Sequence, residues 1–318
     1  MLPTLDELEA AAAQVHAIML PTLQYNWPLL AQRCGCDVWV KHENHTPIGA
    51  FKVRGGITFM NDYAQRDDVT GIISATRGNH GQSIGFAARA AGVAATIVVP
   101  EGNSTEKNAA MKALGVDLVV HGHDFDEARA FADRKAAEEG LYFVPSFHPL
   151  LIQGVASYAL EFLGAIPDLD TIYVPVGLGS GICGVIAARD ALNLHTDVVG
   201  VVSENAPAYA LSFEAGKPVP TNSANTFADG VACRIPDPAA VEIINKGAAR
   251  IVAVSEAEIR GAMRAYYTDT HNLAEGAGAA PLAALLKEKA AMQGRKTGVI
   301  LSGGNIDTEI YSVILSES

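Results

Sequence analysis

The chain has 318 residues, 49% of them hydrophobic and 18% charged, which suffices for one large α/β unit or two domains and does not fit a disordered protein. A formal net charge of −12, with no run of lysine or arginine, excludes a sequence-independent nucleic-acid binder. The longest apolar runs, such as AATIVVP and GVDLVV, are too short to cross a bilayer, so no membrane partner is expected either.

The N-terminal stretch MLPTLDELEAAAAQVHAIML carries acids early and no basic segment, so it reads as an amphipathic helix and not as a secretory signal. CGC at 34–36 reads as a glycine turn ahead of a strand. With Cys183 and Cys233, Cys34 and Cys36 form neither C-x-x-C pairs nor a disulfide framework, which points to reduced thiols in the cytoplasm. Strands are then expected at DVWVKHE, TGIISA, ATIVVP, DLVVHG, LYFVPS, TIYVPVG, VVGVVSE, RIVAVS and TGVILSG, most of them separated by segments of helical period. In the H-x-H-D run, Asp124 reads as the cap of a following helix and His121 and His123 as turn residues; Ser255 and Glu258 have capping-box spacing. Strands of this kind between helices predict an α/β protein whose parallel sheets are covered on both faces. The four strands within 56–146 predict a small domain, with 1–55 and 147–318 forming a large one.

Four segments carry candidate chemistry, each where an extended piece gives way to a helix. In GAFKVRGG (49–56), Lys52 stands behind Phe51 at an expected helix start. The helix dipole and burial both lower a lysine pKa there, and a neutral amine forms a Schiff base with an aldehyde; a lysine snorkelling from a loop fits the stretch equally well. In SATRGNHGQS (74–83), the turn offers backbone N–H groups to a carboxylate, and Asn79 can both donate and accept; an ordinary βα turn is the alternative. In VPVGLGSGICG (174–184), a strand runs into a glycine turn suited to a phosphate. The same letters contain G-x-G-x-x-G, with Glu204 placed 20 residues after Gly184, so a nicotinamide-dependent oxidoreductase using Gly179–Gly184 and Glu204 is a rival. In GVILSGGNID (298–307), Ser302 is a neutral hydroxyl at a strand end. Pyridoxal 5′-phosphate has a use for all four: a lysine for its aldehyde, a phosphate cradle, and partners for its ring hydroxyl and ring nitrogen.

With these motifs in this order, the sequence resembles the fold-type II pyridoxal-phosphate enzymes of the threonine dehydratase, serine racemase and 3-hydroxyaspartate dehydratase group, over nearly the whole chain. FADGVA (227–232) and AEGAGAAPLAAL (274–285) add to the likeness. The resemblance implies a tryptophan-synthase-β-like architecture of two parallel-sheet domains with the cofactor between them, and a homodimer. It implies cofactor contacts from Phe51, Lys52, Asn79, Gly177, Leu178, Gly179, Ser180, Gly181, Glu275 and Ser302, with Lys52 carrying the Schiff base and acting as base. The substrate carboxylate would lie on Thr76, Arg77, Gly78, Asn79 and His80. The implied reaction is loss of water from a β-hydroxy amino acid, giving an α-keto acid and ammonia.

Departures from the family bear on substrate. Where many members have a serine before the glycine-asparagine-histidine triplet, this chain has Arg77, a poor proton carrier but a good partner for a second carboxylate. That makes racemisation an unexpected activity and favours 3-hydroxyaspartate, whereas an Arg77 that points to solvent or pairs with an acid of the chain would carry no such meaning; threonine dehydration proper and a hydroxyectoine-utilisation dehydratase are alternatives. A non-catalytic cofactor-binding or amino-acid-sensing module on the same fold is a third class. Glu204 and the carbonyl of Ala208 match two ligands of the family's magnesium site, but the second acidic ligand falls on Ala210, so a weakened or absent site is expected. The chain ends soon after SGGN, so feedback control of the biosynthetic kind is not expected.

Overall fold

A computed structural model describes residues 2–317. All nine expected strands form: β2 (Asp37–His42), β3 (Ile72–Ala75), β4 (Ala95–Val99), β5 (Asp117–Val120), β6 (Tyr142–Phe143), β7 (Thr171–Pro175), β8 (Asp197–Ser203), β9 (Arg250–Val254) and β10 (Lys296–Leu301). A tenth, β1 (Gln24–Asn26), was not expected from the sequence. Its three polar-to-aromatic residues carry no strand pattern, and it exists because it pairs antiparallel along β2. The first helix spans Leu5–His16 and opens with a Thr4–Glu7 capping box. The second expected box, Ser255 with Glu258, is also present, and the Asp124 side chain accepts from Glu127 N.

The strands form two sheets. The larger has the order β1-β2-β10-β7-β8-β9, parallel except for β1, and the smaller has the all-parallel order β5-β4-β3-β6. Alternation along the strands explains why their sequences are apolar throughout. Tyr173, Val199, Val201, Val299 and Leu301 face one core, while Ile172, Val174, Val198, Val202 and Ile300 face the other. The smaller sheet is likewise covered on both faces, by a Phe59, Ile72, Ile97 and Met111 cluster and by an Ile73, Val98, Ala128 and Ala132 cluster.

Each sheet reverses its direction of growth once. β4 and β5 lie on one side of β3 and β6 on the other; β8 and β9 lie on one side of β7 and β10 on the other. Crevices for ligands open at the carboxyl ends of strands where this reversal occurs. The loops that follow β3 and β7 are the Asn79 loop and the Gly177–Gly181 loop, so topology alone marks both.

The helix Lys52–Tyr63 packs on two others through glycines. A Cβ on Gly56 would overlap Ser83 of the helix Asn79–Ala91. A Cβ on Gly154, in the helix Pro149–Ala165, would lie 2.3 Å from the Arg54 carbonyl oxygen. The expected domain boundary at 55/56 falls inside the Lys52–Tyr63 helix, whose neighbours come from both sides of it. Among the described residues, no helix is long and apolar enough to cross a membrane.

Candidate active site

Lys52 is the first residue of its helix, as the sequence suggested, and no side chain caps that end. The residue is half-buried. Burial pushes the amine down to about 8, against an opposing pull from Glu275. Nζ sits 5.1 Å from the centroid of the Phe51 ring. The Phe51 ring meets Tyr158 edge-on at 6.0 Å and lies against Gly181, whose carbonyl accepts from the Tyr158 hydroxyl at 3.2 Å. The Phe51 N–H donates to the Ser302 carbonyl oxygen at 3.0 Å, which joins the lysine turn to the end of β10; the Ser302 side chain is buried.

Beneath the lysine lies a buried ion-pair network. Arg54, fully enclosed, donates to both oxygens of Glu43 at 2.7 and 2.9 Å and to both oxygens of Glu161 at 2.6 and 3.0 Å. Lys41 Nζ reaches Glu161 at 2.5 Å and the Thr22 carbonyl oxygen at 2.8 Å. Burial opposes the Arg54 charge, but the two carboxylates overcome it and hold the guanidinium above its ordinary range. Burial also opposes the Glu161 charge, and the Arg54 and Lys41 contacts still bring its carboxyl down to about 2. The network ties the Lys52 helix to β2 and to the helix Pro149–Ala165. Nothing in the run GAFKVRGG identifies these partners.

The Asn79 loop arrives from β3. Thr76 Oγ1 accepts from the Gly78 N–H at 3.0 Å, and Asn79 begins its helix with no side-chain cap before it. Asn79 Nδ2 donates to Glu275 Oε1 at 2.8 Å, a residue 196 positions away. His80 is buried; burial, reinforced by the Lys52 charge, pushes its imidazole down to about 3, so it is neutral, and its Nε2 has no partner among the described residues. Glu275 is buried too, and burial raises its pKa against the charge of Lys107. Arg77 is half exposed, with its nearest acid, Asp229, 3.9 Å away and no hydrogen bond between them.

The Gly177–Gly181 loop completes the cleft. Gly179, at φ 102°, holds a backbone conformation that favours glycine, and it precedes the helix Ser180–Ala191 without a side-chain cap, so the first N–H groups of that helix are free for an anion. A Cβ on Gly177 would lie 2.2 Å from the Gly230 carbonyl oxygen, and Gly230 in turn packs on Ala277. Leu178 gives its carbonyl to the Tyr209 hydroxyl at 2.8 Å.

Glu204 and Ala208, the two residues that match metal ligands of the resembled family, each have a partner within the chain. Glu204 Oε1 accepts from Lys287 Nζ at 3.1 Å, and the Ala208 carbonyl accepts from Ser212 Oγ at 2.6 Å. No group of three metal-ligating side chains occurs among the described residues. Lys107, Asp229 and Asn305 belong to the cleft but were not singled out in the sequence. Lys107 Nζ lies 3.2 Å from Asp229 and 4.0 Å from Glu275.

Comparison with known proteins settles the family. The family described as pyridoxal-phosphate dependent enzyme matches residues 19–303. The chain belongs to that family. It is 37% identical to an L-threonine ammonia-lyase of Geobacter sulfurreducens over 286 residues, 90% of this chain and 71% of that protein. It is 32% identical to the catabolic L-threonine dehydratase of Escherichia coli over 313 residues, covering 98% and 94%. Maize serine racemase superposes with a TM-score of 0.91 at 27% identity, covering 98% and 97% of the two chains. Threonine deaminase isoform 2 of Solanum lycopersicum superposes with 0.90 at 27%, covering 99% and 95%. The architecture is therefore fold-type II, and the chain is a pyridoxal-phosphate dependent enzyme. The nicotinamide reading of Gly179–Gly184 and Glu204 falls with that family assignment. The cleft suits the cofactor on its own terms: a desolvated amine beside an aromatic ring, opposite an uncapped, glycine-lined helix start.

Proposed function

We propose that this enzyme is an ammonia-lyase that expels water from a β-hydroxy amino acid bearing a second carboxylate, of the 3-hydroxyaspartate type. The observation that carries the reaction is the Lys52 amine, lowered to about 8 at the junction of the Asn79 loop, the glycine loop and the β10 end. Phe51, Lys52, Asn79, Gly177, Leu178, Gly179, Ser180, Gly181, Glu275 and Ser302 would hold pyridoxal phosphate. When bound, that cofactor draws off the negative charge left on the substrate α-carbon.

Lys52 removes the α-proton onto Nζ, for which a neutral amine near working pH is required. The electron pair of that C–H bond forms the Cα–Cβ double bond as the β-hydroxyl leaves as water, the proton it takes up being one that the phosphate held by the Gly177–Gly181 loop would supply. Hydrolysis of the released enamine gives the keto acid and ammonia. The loop Thr76–His80 places N–H groups at a helix start for the substrate α-carboxylate. Burial holds the His80 imidazole at about 3, so it is neutral and too weak a base to compete with Lys52 for that proton. Ser302 is uncharged, so it brings no counter-ion to the ring nitrogen, which favours prompt loss of a leaving group over a long-lived carbanion. Arg77 stands at the mouth with its hydrogen-bonding edge unpaired, and a second substrate carboxylate supplies what Asp229 at 3.9 Å does not.

The test is a keto-acid and ammonia assay on both 3-hydroxyaspartate diastereomers, L-threonine and L-serine. One hydroxyaspartate diastereomer is expected to be the preferred substrate, and Arg77→Ala to lower its kcat/KM by about 10- to 100-fold, the worth of a charged hydrogen bond, while sparing threonine. No turnover of hydroxyaspartate, or an Arg77→Ala enzyme that retains it, sinks the dicarboxylate reading. The second reading, L-threonine as substrate, has the names of the two relatives in its favour. We further infer a homodimer in the cytoplasm, which sedimentation and cell fractionation check.

A further inference from the structure

Asn79 does not set its own orientation. Asn305 Nδ2 donates to the Ile48 backbone oxygen at 2.8 Å, and a carbonyl oxygen only accepts, so the amino end of Asn305 is fixed at that point. The same Nδ2 lies 2.8 Å from Asn79 Oδ1, so its second hydrogen meets the oxygen end of the Asn79 amide. The nitrogen end of Asn79 is thereby turned the other way, where it donates to Glu275 Oε1 at 2.8 Å. Glu275 and Lys52 are close enough for their charges to act on each other. The amino end of Asn79 thus faces Glu275, with one hydrogen given to it and one to spare. The segment that carries Asn305 is pinned as well. Gly304 N donates to the Gly49 carbonyl at 2.9 Å, Ala50 bridges to Gly303, and the Glu275 N–H donates to the Gly303 carbonyl at 3.1 Å.

We propose that Asn305 is a positioning residue that fixes Asn79 as a hydrogen-bond donor toward the ring oxygen of pyridoxal phosphate, and so holds that oxygen in its ionised form. The inference rests on the reading that Asn79 partners the ring oxygen, and adds which way round the amide stands. An amide free to turn would offer its carbonyl as readily, and a carbonyl favours the protonated hydroxyl instead. An ionised oxygen beside the lysine–cofactor linkage retains the proton on the linkage nitrogen, because a neighbouring opposite charge favours the charged form.

The test follows the near-visible absorption of purified, cofactor-loaded protein while it is titrated with base. In Asn305→Asp, residue 305 can only accept, so Asn79 must turn its amino end toward it and its oxygen toward the cofactor. The titration midpoint of the linkage is expected to fall by about one pH unit, about tenfold in proton affinity. The bare effect of an added carboxylate is the opposite, a rise, so an unchanged or raised midpoint overturns the proposal. Asn305→Ala removes the lock without adding charge and should give a smaller fall; it decides the matter if the aspartate variant does not fold. Asn79→Ala separates the two layers. If it leaves the titration unmoved, Asn79 does not touch the cofactor and the site reading fails. If it moves the titration and the Asn305 variants do not, the site stands and the relay is wrong.

Discussion

At the scale of single residues, Lys52 shows how position becomes reactivity. Its place at the first turn of a helix and among glycines is visible in GAFKVRGG, but a snorkelling lysine would share those letters. Its burial decides between the two, and the pKa of about 8 follows from desolvation outweighing Glu275. Depressed from an ordinary 10.5, the amine is mostly neutral above that value and mostly charged below it. Cofactor-stripped protein should therefore take up pyridoxal phosphate about tenfold faster at about pH 9 than at about pH 7, then level off. Stopped-flow absorbance checks this; a rate still climbing steeply well above that range would mean an unshifted lysine. Asn305 marks the opposite case. Nothing in SGGNID says that the asparagine meets Asn79, 226 positions away, because a hydrogen-bond partner at that separation leaves no mark on local sequence.

Among the elements, the strands and helices were largely legible because short apolar runs, helical periodicity and capping are local properties. The exception, β1, is made by pairing with β2 and not by its own residues. What holds the elements to one another was not legible. Arg54 reads as a charged residue two places after the lysine, yet it is fully buried between Glu43 and Glu161. Removing one partner of such a network leaves charges buried and uncompensated. Arg54→Met is expected to lose about 3–5 kcal/mol of stability, measured by urea unfolding. A loss under about 1 kcal/mol would show that Lys41 and the surrounding hydroxyls already satisfy both carboxylates.

Across the whole molecule, the cleft is assembled from loops at the reversal points of two sheets, with the Lys52 turn and the β10 end between them. A ligand that touches both sheets binds the native chain and not the unfolded one, so it must stabilise the fold. Stripping the cofactor should lower the thermal midpoint, and restoring it at about 100 times its dissociation constant should return about 2.7 kcal/mol. An unchanged midpoint on removal would mean that the anchors do not engage it jointly.

The sequence by itself determined the α/β class, nine of the strands, the family likeness and the residue types that stand at each turn. It could do so because periodicity, capping and glycine turns act within a few residues. Only the tertiary structure decided that burial lowers the Lys52 amine, that Glu204 pairs with Lys287, and that Asn305, Asn79 and Glu275 form one hydrogen-bonded line. Those facts depend on which distant segments the fold brings together, in the crevice for Lys52 and the asparagines and on the surface for Glu204. Burial and pairing across that distance are set by packing, which the order of residues along the chain does not display.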